Sequence, residues 1–499
     1  MLGASGHALP AEDAPLSAID WLSNSVDVAP DPQVISDQPL ATLPDSVTVL
    51  PLDAPTADDA GLKPASDLGL DPGFWGRSSA SDLAWALIDL PDSSEAPPST
   101  TRFLRELLVT EFRAPIDAAI DDQFFLARVD RLLALGQLDL AQDLISKAGP
   151  IEPNRFRRAF DIALLRGEET EACRVIEETP DLSPTYPARI FCLARLGQWD
   201  VAALTLGNAE ALGILTPEEN QLLLHFLDAE LFEGEPVPPP PPVPSPLLFR
   251  LYEAVGEQIS TDRLPVAFAF SDLGSTSGWK ARLRAVERLA AVEALPFDRL
   301  IEVFSERKPA ASGGVWERAR ALQALLRAVE TDKDARINAT LSSAWVAAKQ
   351  VGYATAFAGW VTPNLDGREL SGRGKDAAFE IALRAGQPDI AQQFAAESAE
   401  DAFLLSLATG QGGQAPGGNL LNQAVRRGLV ALSPGPTFEA LLADDRRGEA
   451  LFRALGHLKR GAGGNPQATQ DSLALLKKLG LGDLARQVAV ELILMDEAA

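Results

Sequence analysis

The sequence Gly136-Gln-Leu-Asp139-Leu-Ala141 lies between two apolar helical stretches, and its pattern, Gly-x-x-Asp-x-Ala, returns four times along the chain. The further copies are Gly167-Glu-Glu-Thr170-Glu-Ala172 (with Thr for Asp), Gly197-Gln-Trp-Asp200-Val-Ala202, Gly386-Gln-Pro-Asp389-Ile-Ala391 and Gly480-Leu-Gly-Asp483-Leu-Ala485. Glycine can take the left-handed conformation that ends a helix, and Asp or Thr three residues later can cap the next helix. The small alanine lets that second helix lie close to its neighbour. We therefore expect each copy to be the turn of an antiparallel helical hairpin.

The spacing of these turns indicates a repeat. Gly136 and Gly167 are 31 residues apart, and Gly167 and Gly197 are 30 residues apart. A chain of such hairpins predicts an all-α fold, specifically an α-solenoid. The turn also resembles the inter-helix turn of tetratricopeptide repeats, where a small alanine follows a glycine by five positions. The resemblance is limited to the turns, since that family repeats every ~34 residues, and it implies a degenerate helical-repeat protein.

Composition and charge exclude several partners. The chain of 499 residues has a formal charge of −26, which argues against binding to nucleic acids or to anionic membrane surfaces. No stretch approaches the roughly 18–20 continuous apolar residues of a membrane span. Hydrophobic residues make up 46% of the chain but aromatic residues only 6%, which favours helices packed through alanine and leucine.

The pattern along the chain suggests four parts. Residues 1–100 are rich in Asp, Pro, Ser and Ala, which predicts a long, mostly disordered leader. Residues 101–235 and 247–499 have helical periodicity and are interpreted as two helical-repeat segments. The proline run at 236–246 is interpreted as a stiff polyproline spacer between them. The last hairpin is expected to close the array with a polar outer face.

Two aromatic motifs interrupt the leader and are the candidate partner-binding residues. The first, at 17–26, contains Ile19, Trp21 and Leu22. The second, at 71–90, contains the residues Phe74, Trp75, Trp85 and Leu87. Two interpretations remain open: the motifs dock on a partner, or they cover the protein's own first hairpin.

The chain contains two cysteines, Cys173 and Cys192. They fall on consecutive antiparallel helices of the predicted array, at nearly the same height when ~1.5 Å per residue is counted from the turn. They are therefore a candidate disulfide in an oxidising compartment. The alternative is a pair of buried free thiols that face separate seams.

No catalytic or metal-binding signature is found in the sequence. With three histidines and two cysteines a metal site is difficult to build, and we expect neither a cofactor nor a metal. The composition is broadly similar to that of soluble lytic transglycosylases, whose long helical superhelix is their non-catalytic part. Their catalytic Glu-Ser pair has only Glu397-Ser398 as a counterpart, without the run that follows it. Any resemblance therefore concerns the scaffold alone.

These observations predict a non-catalytic protein- or peptide-binding scaffold, with a bacterial cell-envelope assembly as its candidate setting. The alternative is an enzyme, or an enzyme accessory, that acts on envelope polymer through a carboxylate in the solenoid groove. Residues 1–8, Met-Leu-Gly-Ala-Ser-Gly-His-Ala, resemble the remnant of a signal peptide and favour a periplasmic or exported protein. A cytoplasmic protein with an acidic tail is the other interpretation.

Overall fold

The computed structural model describes residues 19, 21–22, 56–91, 95–118, 122–149, 152–274, 276–411, 419–459 and 465–496. Within these ranges the chain forms 23 α-helices, six 3₁₀ segments and one pair of two-residue strands. The all-α fold class predicted from the sequence is confirmed.

The first ten α-helices are α1 Ala80–Ile88, α2 Pro98–Leu108, α3 Gln123–Ala134, α4 Leu138–Lys147, α5 Pro153–Arg166, α6 Glu169–Glu178, α7 Tyr186–Arg195, α8 Trp199–Ala211, α9 Pro217–Leu227 and α10 Pro246–Ala254. The others are α11 Trp279–Ala291, α12 Phe297–Ser305, α13 Val315–Glu330, α14 Asp334–Gln350, α15 Ala354–Val361, α16 Gly372–Arg384, α17 Pro388–Phe394, α18 Ala399–Thr409, α19 Leu420–Val430, α20 Pro436–Ala443, α21 Arg447–His457, α22 Pro466–Lys478 and α23 Gly482–Asp496. The strands are β1 Lys63–Pro64 and β2 Thr110–Glu111. The 3₁₀ segments are Ala57–Asp59, Ala65–Leu68, Pro180–Leu182, Thr261–Arg263, Val266–Leu273 and Thr362–Asn364.

The five Gly-x-x-Asp-x-Ala sequences form turns of one common geometry. Their glycines all have left-handed backbones, with φ between 69° and 85°. At the first turn, the amide of Gly136 donates to the carbonyl of Leu133 at 2.9 Å and the amide of Gln137 donates to that of Leu132 at 2.8 Å. The same pair of bonds is present at the other four turns, and together they define the Schellman motif that ends a helix.

In the repeated Gly-x-x-Asp-x-Ala sequences, the alanines behave as predicted and the aspartates do so only in part. Four of the five alanines are completely buried, namely Ala141, Ala202, Ala391 and Ala485. The aspartates lie in the first turn of α4, α8, α17 and α23, as expected, but as the second helical residue and without a capping bond. The prediction that they cap these helices is therefore wrong. A carboxylate at the second position still interacts favourably with the helix dipole, and Asp139 pairs with Arg166.

Most of the helices share one hydrophobic core. The carboxyl-terminal helix α23 lies at its centre and contacts α2, α16, α18, α19 and α22. Residues 488–494 of α23 are buried without interruption. The expectation that the last hairpin is an end cap with a polar outer face is therefore wrong, because residues 488–494 of α23 are buried on all sides.

The first and the last of the described helices are packed together. Helix α1 contacts α3 and α21, and α2 contacts α3 and α23. In a linear repeat array each unit contacts only its neighbours. The contacts between amino-terminal and carboxyl-terminal helices instead connect units that are almost 400 residues apart, such as Ser99 and Glu491.

Part of the predicted leader belongs to the folded body. Strand β1 pairs in parallel with β2, in the register Lys63–Thr110. The guanidinium of Arg128, which is buried in α3, donates to the carbonyls of Asp58 at 3.1 Å and Ala60 at 2.8 Å. The prediction of disorder up to residue 100 is wrong for residues 56–91, because these contacts and a buried aromatic cluster hold the segment. Residues 1–18, 20 and 23–55 lie outside the described part of the chain.

Helices α5 to α10 form a lobe with a hydrophobic core of its own, closed where α10 returns to α5. The proline-rich segment 236–246 packs onto this lobe. Tyr252 donates its hydroxyl to the carbonyl of Pro238 at 3.0 Å, and Gln221 donates its side-chain amide to that of Pro236 at 3.0 Å. Because α9 and α10 also contact each other directly, the segment is a docked loop and not a spacer between two helical segments.

Candidate functional site

A cavity of about 500 Å³ opens where α2, the end of α11, the end of α14 and the end of α23 meet. Its charged lining consists of four cations and one carboxylate, namely Arg102, Arg105, Lys349, Arg384 and Glu293. Such a concentration of positive charge is unexpected in a chain of formal charge −26. We refer to these five residues and Gln137 as the basic cavity.

Helix α2 carries two of the cations and is held in place by α23. Proline at the first helical position, Pro98, suits the start of a helix because its missing amide would have no partner there. The next amide, that of Ser99, donates to the buried carboxylate of Glu491 at 2.9 Å, and the Ser99 hydroxyl donates to the same oxygen at 2.7 Å. Arg102 and Arg105 follow at a spacing of three residues, which places them on one face of α2.

A hairpin turn supplies the next wall of the cavity. The Schellman turn at Gly136 brings the side chain of Gln137 to the end of α11. There the side-chain amide of Gln137 donates to the carbonyl of Val292 at 2.9 Å. A Cβ atom on Gly136 would lie 3.0 Å from Val266, in addition to the strain that its positive φ would impose. This position therefore requires glycine.

Glu293 has an unusual backbone. Its φ is +52°, and among the described residues it is the one non-glycine residue with positive φ that is not an aspartate. The amide of Glu293 donates to Ala290 at 3.1 Å and the amide of Ala294 donates to Leu289 at 2.8 Å, so Glu293 takes the place of the usual glycine in a Schellman turn. A left-handed non-glycine residue costs about 1–2 kcal/mol.

The side chain of Glu293 is held by the two arginines of α2. Arg102 donates from Nε to Oε2 at 3.0 Å and from Nη2 to Oε1 at 2.6 Å, while Arg105 donates to the Glu293 carbonyl at 3.3 Å. Partial burial acts to raise the pKa of Glu293, but the hydrogen bonds and charges of Arg102 and Arg105 outweigh it and keep the pKa below its usual value. Glu293 is therefore an ionised carboxylate at neutral pH.

The opposite wall carries a second charged network. Glu380 accepts from Lys349 at 2.8 Å, from the indole of Trp345 at 2.7 Å and from Arg384 at 3.2 Å. Lys349 and Arg384 also lie 5.3 Å and 5.8 Å from the centre of the Trp345 ring, within cation–π distance. Glu380 thus pairs with both cations of this wall, Lys349 and Arg384.

A second cavity, also of about 500 Å³, lies next to the first. The two cavities share Arg102, Arg105, Gln137, Glu293 and Thr355. The ion pair between Glu293 and the two arginines is therefore located at the boundary between the cavities.

The predicted partner-binding residues lie elsewhere, and most of them are buried. Trp21, Leu22, Phe74, Trp75 and Leu87 are at most 6% exposed, and Ile19 is partly buried. The five buried side chains are covered by the protein itself, and Ile19 packs partly against the same core. Of the two interpretations that the sequence left open, their arrangement corresponds to the one in which the motifs cover the protein's own helices.

Trp75 illustrates how completely the second motif is packed. Its ring lies 4.7 Å from that of Phe112, 5.2 Å from Phe124 and 5.9 Å from Phe452. A Cβ atom on Gly448 would lie 2.5 Å from this ring, so α21 approaches the motif through a glycine. Trp85, by contrast, is 54% exposed and lines a separate cavity of about 770 Å³ with Glu449 and Arg453 of α21.

Cys173 of α6 and Cys192 of α7 form a disulfide, with their Cα atoms 4.9 Å apart. Both are buried in the core of the α5–α10 lobe, and the bond joins its second and third helices. It lies in a different core from the basic cavity.

Sequence reasoning missed the basic cavity because its residues are spread from Arg102 to Arg384 and form no short motif. One local signal was available. The stretch Ala290-Ala-Val-Glu293-Ala-Leu-Pro296 joins two helices without the glycine that the repeated phrase uses. The sequence signal is weak, because many helices end without glycine, and only the structure shows that Glu293 has a left-handed backbone.

Comparison of the chain with protein-family models, curated proteins and solved structures found no match in any of the three. Among the helices that the structure describes, none combines the length and the apolar character needed to cross a membrane.

Proposed function

We propose that this protein is a non-catalytic scaffold that binds an acidic segment of a protein or peptide at the basic cavity. The observation that carries the proposal is the convergence of Arg102, Arg105, Lys349 and Arg384 on one cavity of a strongly acidic protein. Charge complementarity of this kind selects anionic partners and rejects cationic ones. The volume of the cavity, about 500 Å³, is within the usual range of ligand sites, about 300–1,000 Å³.

The charge state of the cavity favours binding over the alternative of an envelope-polymer enzyme. General acid catalysis by a carboxyl group needs a raised pKa, so that the proton is present near neutral pH. The one carboxylate that lines the basic cavity, Glu293, has a lowered pKa and is paired with Arg102. Such a group neutralises a cation and is a poor proton donor.

We also propose that the protein is exported, in a bacterium to the periplasm, and that its hairpins derive from a tetratricopeptide-like helical repeat. The Cys173–Cys192 disulfide supports export, since disulfides persist in oxidising compartments and are rare in the cytosol. The five turns of common geometry support the repeat origin.

The test of the binding proposal is fluorescence polarisation with the full-length chain and two fluorescein-labelled peptides, one of six glutamates and one of six glutamines. We expect binding of the glutamate peptide only, weakening with salt because the interaction is electrostatic. The double variant R102Q/R105Q should weaken that binding by about tenfold or more. R174Q is the matched control, because Arg174 is an exposed arginine paired with Glu171 in the distant lobe. Equal binding of both peptides, or no effect of R102Q/R105Q, would refute the proposal.

A further inference from the structure

Glu293 occupies the guanidinium groups that an acidic ligand would need. Its two carboxylate oxygens take two donors of Arg102, and its carbonyl oxygen takes one donor of Arg105. A guanidinium presents two such edges, Nε with one Nη and the two Nη atoms together, and Glu293 takes the Nε–Nη2 edge of Arg102. Any external carboxylate that binds Arg102 through that edge must therefore displace Glu293.

The pair is placed so that displacement is sterically possible. The Arg102 side chain is 45% exposed and that of Glu293 22% exposed, so both have space to move. Arg105 is more enclosed, at 16%, and its contacts with the carboxylates of Glu293 and Glu106 are long, 3.5 Å and 3.4 Å. Arg105 thus makes two long ion pairs, whereas the neighbouring Arg102 makes a close one with Glu293.

The ion pair also divides the available space. The two cavities that share Arg102, Arg105 and Glu293 have a volume of about 500 Å³ each. Glu293 is one of the five residues that line both cavities, so displacement of its side chain changes the wall that they share. Together the two linings extend along α2 from the end of α23 to the start of α12.

The left-handed backbone of Glu293 is a second, independent observation about this residue. The five repeated turns use glycine at this position, and the other described non-glycine residues with positive φ are aspartates. Glycine would remove the strain, but it would also remove the carboxylate from the arginines. A non-glycine residue in this conformation is the kind of backbone outlier from which a role of its side chain can be inferred.

From these observations, and resting on the proposed function, we infer that Glu293 is an internal carboxylate gate. It fills the arginine site in the unliganded protein and is displaced by a glutamate or aspartate side chain of the acidic ligand, which thereby changes the wall that the two cavities share. The gate lowers the affinity for weakly acidic segments and selects ligands with enough negative charge to compete.

The experiment measures the affinity of the full-length protein for the labelled glutamate peptide in four forms: wild type, E293Q, E293G and D332N. Gln retains the size of Glu293 without its charge, and Gly also removes the backbone strain. Asp332 is the matched control, because it is a left-handed carboxylate at the end of α13 and pairs with Arg368 away from the basic cavity. We expect E293Q and E293G to bind about tenfold more tightly than wild type and D332N to bind as wild type does.

The outcomes separate this inference from the proposed function. If E293Q and E293G bind no more tightly than wild type while R102Q/R105Q still loses binding, the gate is refuted and the binding site stands. If D332N gains as much as E293Q, the effect is a general loss of negative charge and the gate is again refuted. If neither wild type nor E293Q binds the peptide, both proposals fall. Two gate variants are used so that failure of one to fold leaves the other informative.

Discussion

Replacing Glu491 tests how the carboxyl-terminal helix holds α2 beside the basic cavity. The buried carboxylate accepts three hydrogen bonds, from the amide of Ser99 at 2.9 Å, the hydroxyl of Ser99 at 2.7 Å and the side chain of Gln487 at 3.1 Å. Alanine leaves these donors without their acceptor, at about 1–3 kcal/mol for each one that stays buried and unpaired. We expect E491A to lower the free energy of unfolding by about 3 kcal/mol.

The matched variant E491Q separates hydrogen bonding from charge. Its amide oxygen can still accept both bonds from Ser99, while only the bond from Gln487 is lost. Burial raises the pKa of Glu491, and the hydrogen bonds from Ser99 oppose that shift without cancelling it. The pKa of Glu491 is therefore higher in the folded than in the unfolded protein. The contribution of its protonation to the free energy of unfolding is complete below pH ~4.5 and is lost as the pH rises through the folded pKa. The free energy of unfolding of E491Q should therefore rise relative to that of the wild type as the pH increases.

The assay is urea unfolding followed by far-ultraviolet circular dichroism, at several pH values between 4.5 and 8. A chain of 499 residues can unfold in steps, so wild type and variants are compared at the same transition. A free energy for E491A within about 0.5 kcal/mol of wild type at pH 7 would refute the reasoning. So would equal losses in E491A and E491Q, since the hydrogen bonds would then contribute nothing.

Two further predictions concern the disulfide and the amino-terminal segment. The Cys173–Cys192 bridge joins residues that are 19 positions apart in sequence. Its removal in C173A/C192A should lower the stability of the α5–α10 lobe by about 3 kcal/mol, because the unfolded chain is then less constrained. Thermal unfolding of the wild type with and without dithiothreitol checks this, and identical curves would contradict it. Burial raises the pKa of Asp58 to about 6, against the opposing charge of Arg128, so its ionisation destabilises the fold as the pH rises above ~4. D58N should therefore be more stable than wild type by up to about 3 kcal/mol at pH 7, with no advantage near pH 4, and urea titration at the two pH values measures the difference.

The local features of the fold could be predicted because they depend on residues close in sequence. A glycine at a helix end, followed five positions later by a buried alanine, specifies a Schellman turn and a close helix contact whatever surrounds it. The same holds for the capping box at Thr216 and Glu219, a local pattern in which both reciprocal bonds are present. The capping role of Asp139 failed for a local reason too, since its helix begins at Leu138 and the cap position falls on Gln137, two residues before Asp139.

Burial, which is not a local property, removes five of the seven predicted partner-binding side chains from the surface and leaves Trp85 exposed. Trp75 and Trp85 stand ten residues apart in one acidic, proline-containing stretch, yet one is 2% exposed and the other 54% exposed. What separates them is the approach of α21 through Gly448, more than 370 residues away in the chain. Sequence composition therefore predicted disorder for residues 56–91, which the structure shows to be folded.

The sequence by itself determined that the chain is helical, where many of its hairpins turn, and that the two cysteines lie at similar heights on neighbouring helices. These properties follow from backbone preferences and helical periodicity, which act over a few residues. The tertiary structure alone decided that α23 lies at the centre, that α2 is held by Glu491, and that Arg102, Arg105, Lys349 and Arg384 meet around Glu293. Those contacts join segments hundreds of residues apart, and they exist only because packing of apolar helix faces brings the first and the last of the described helices together.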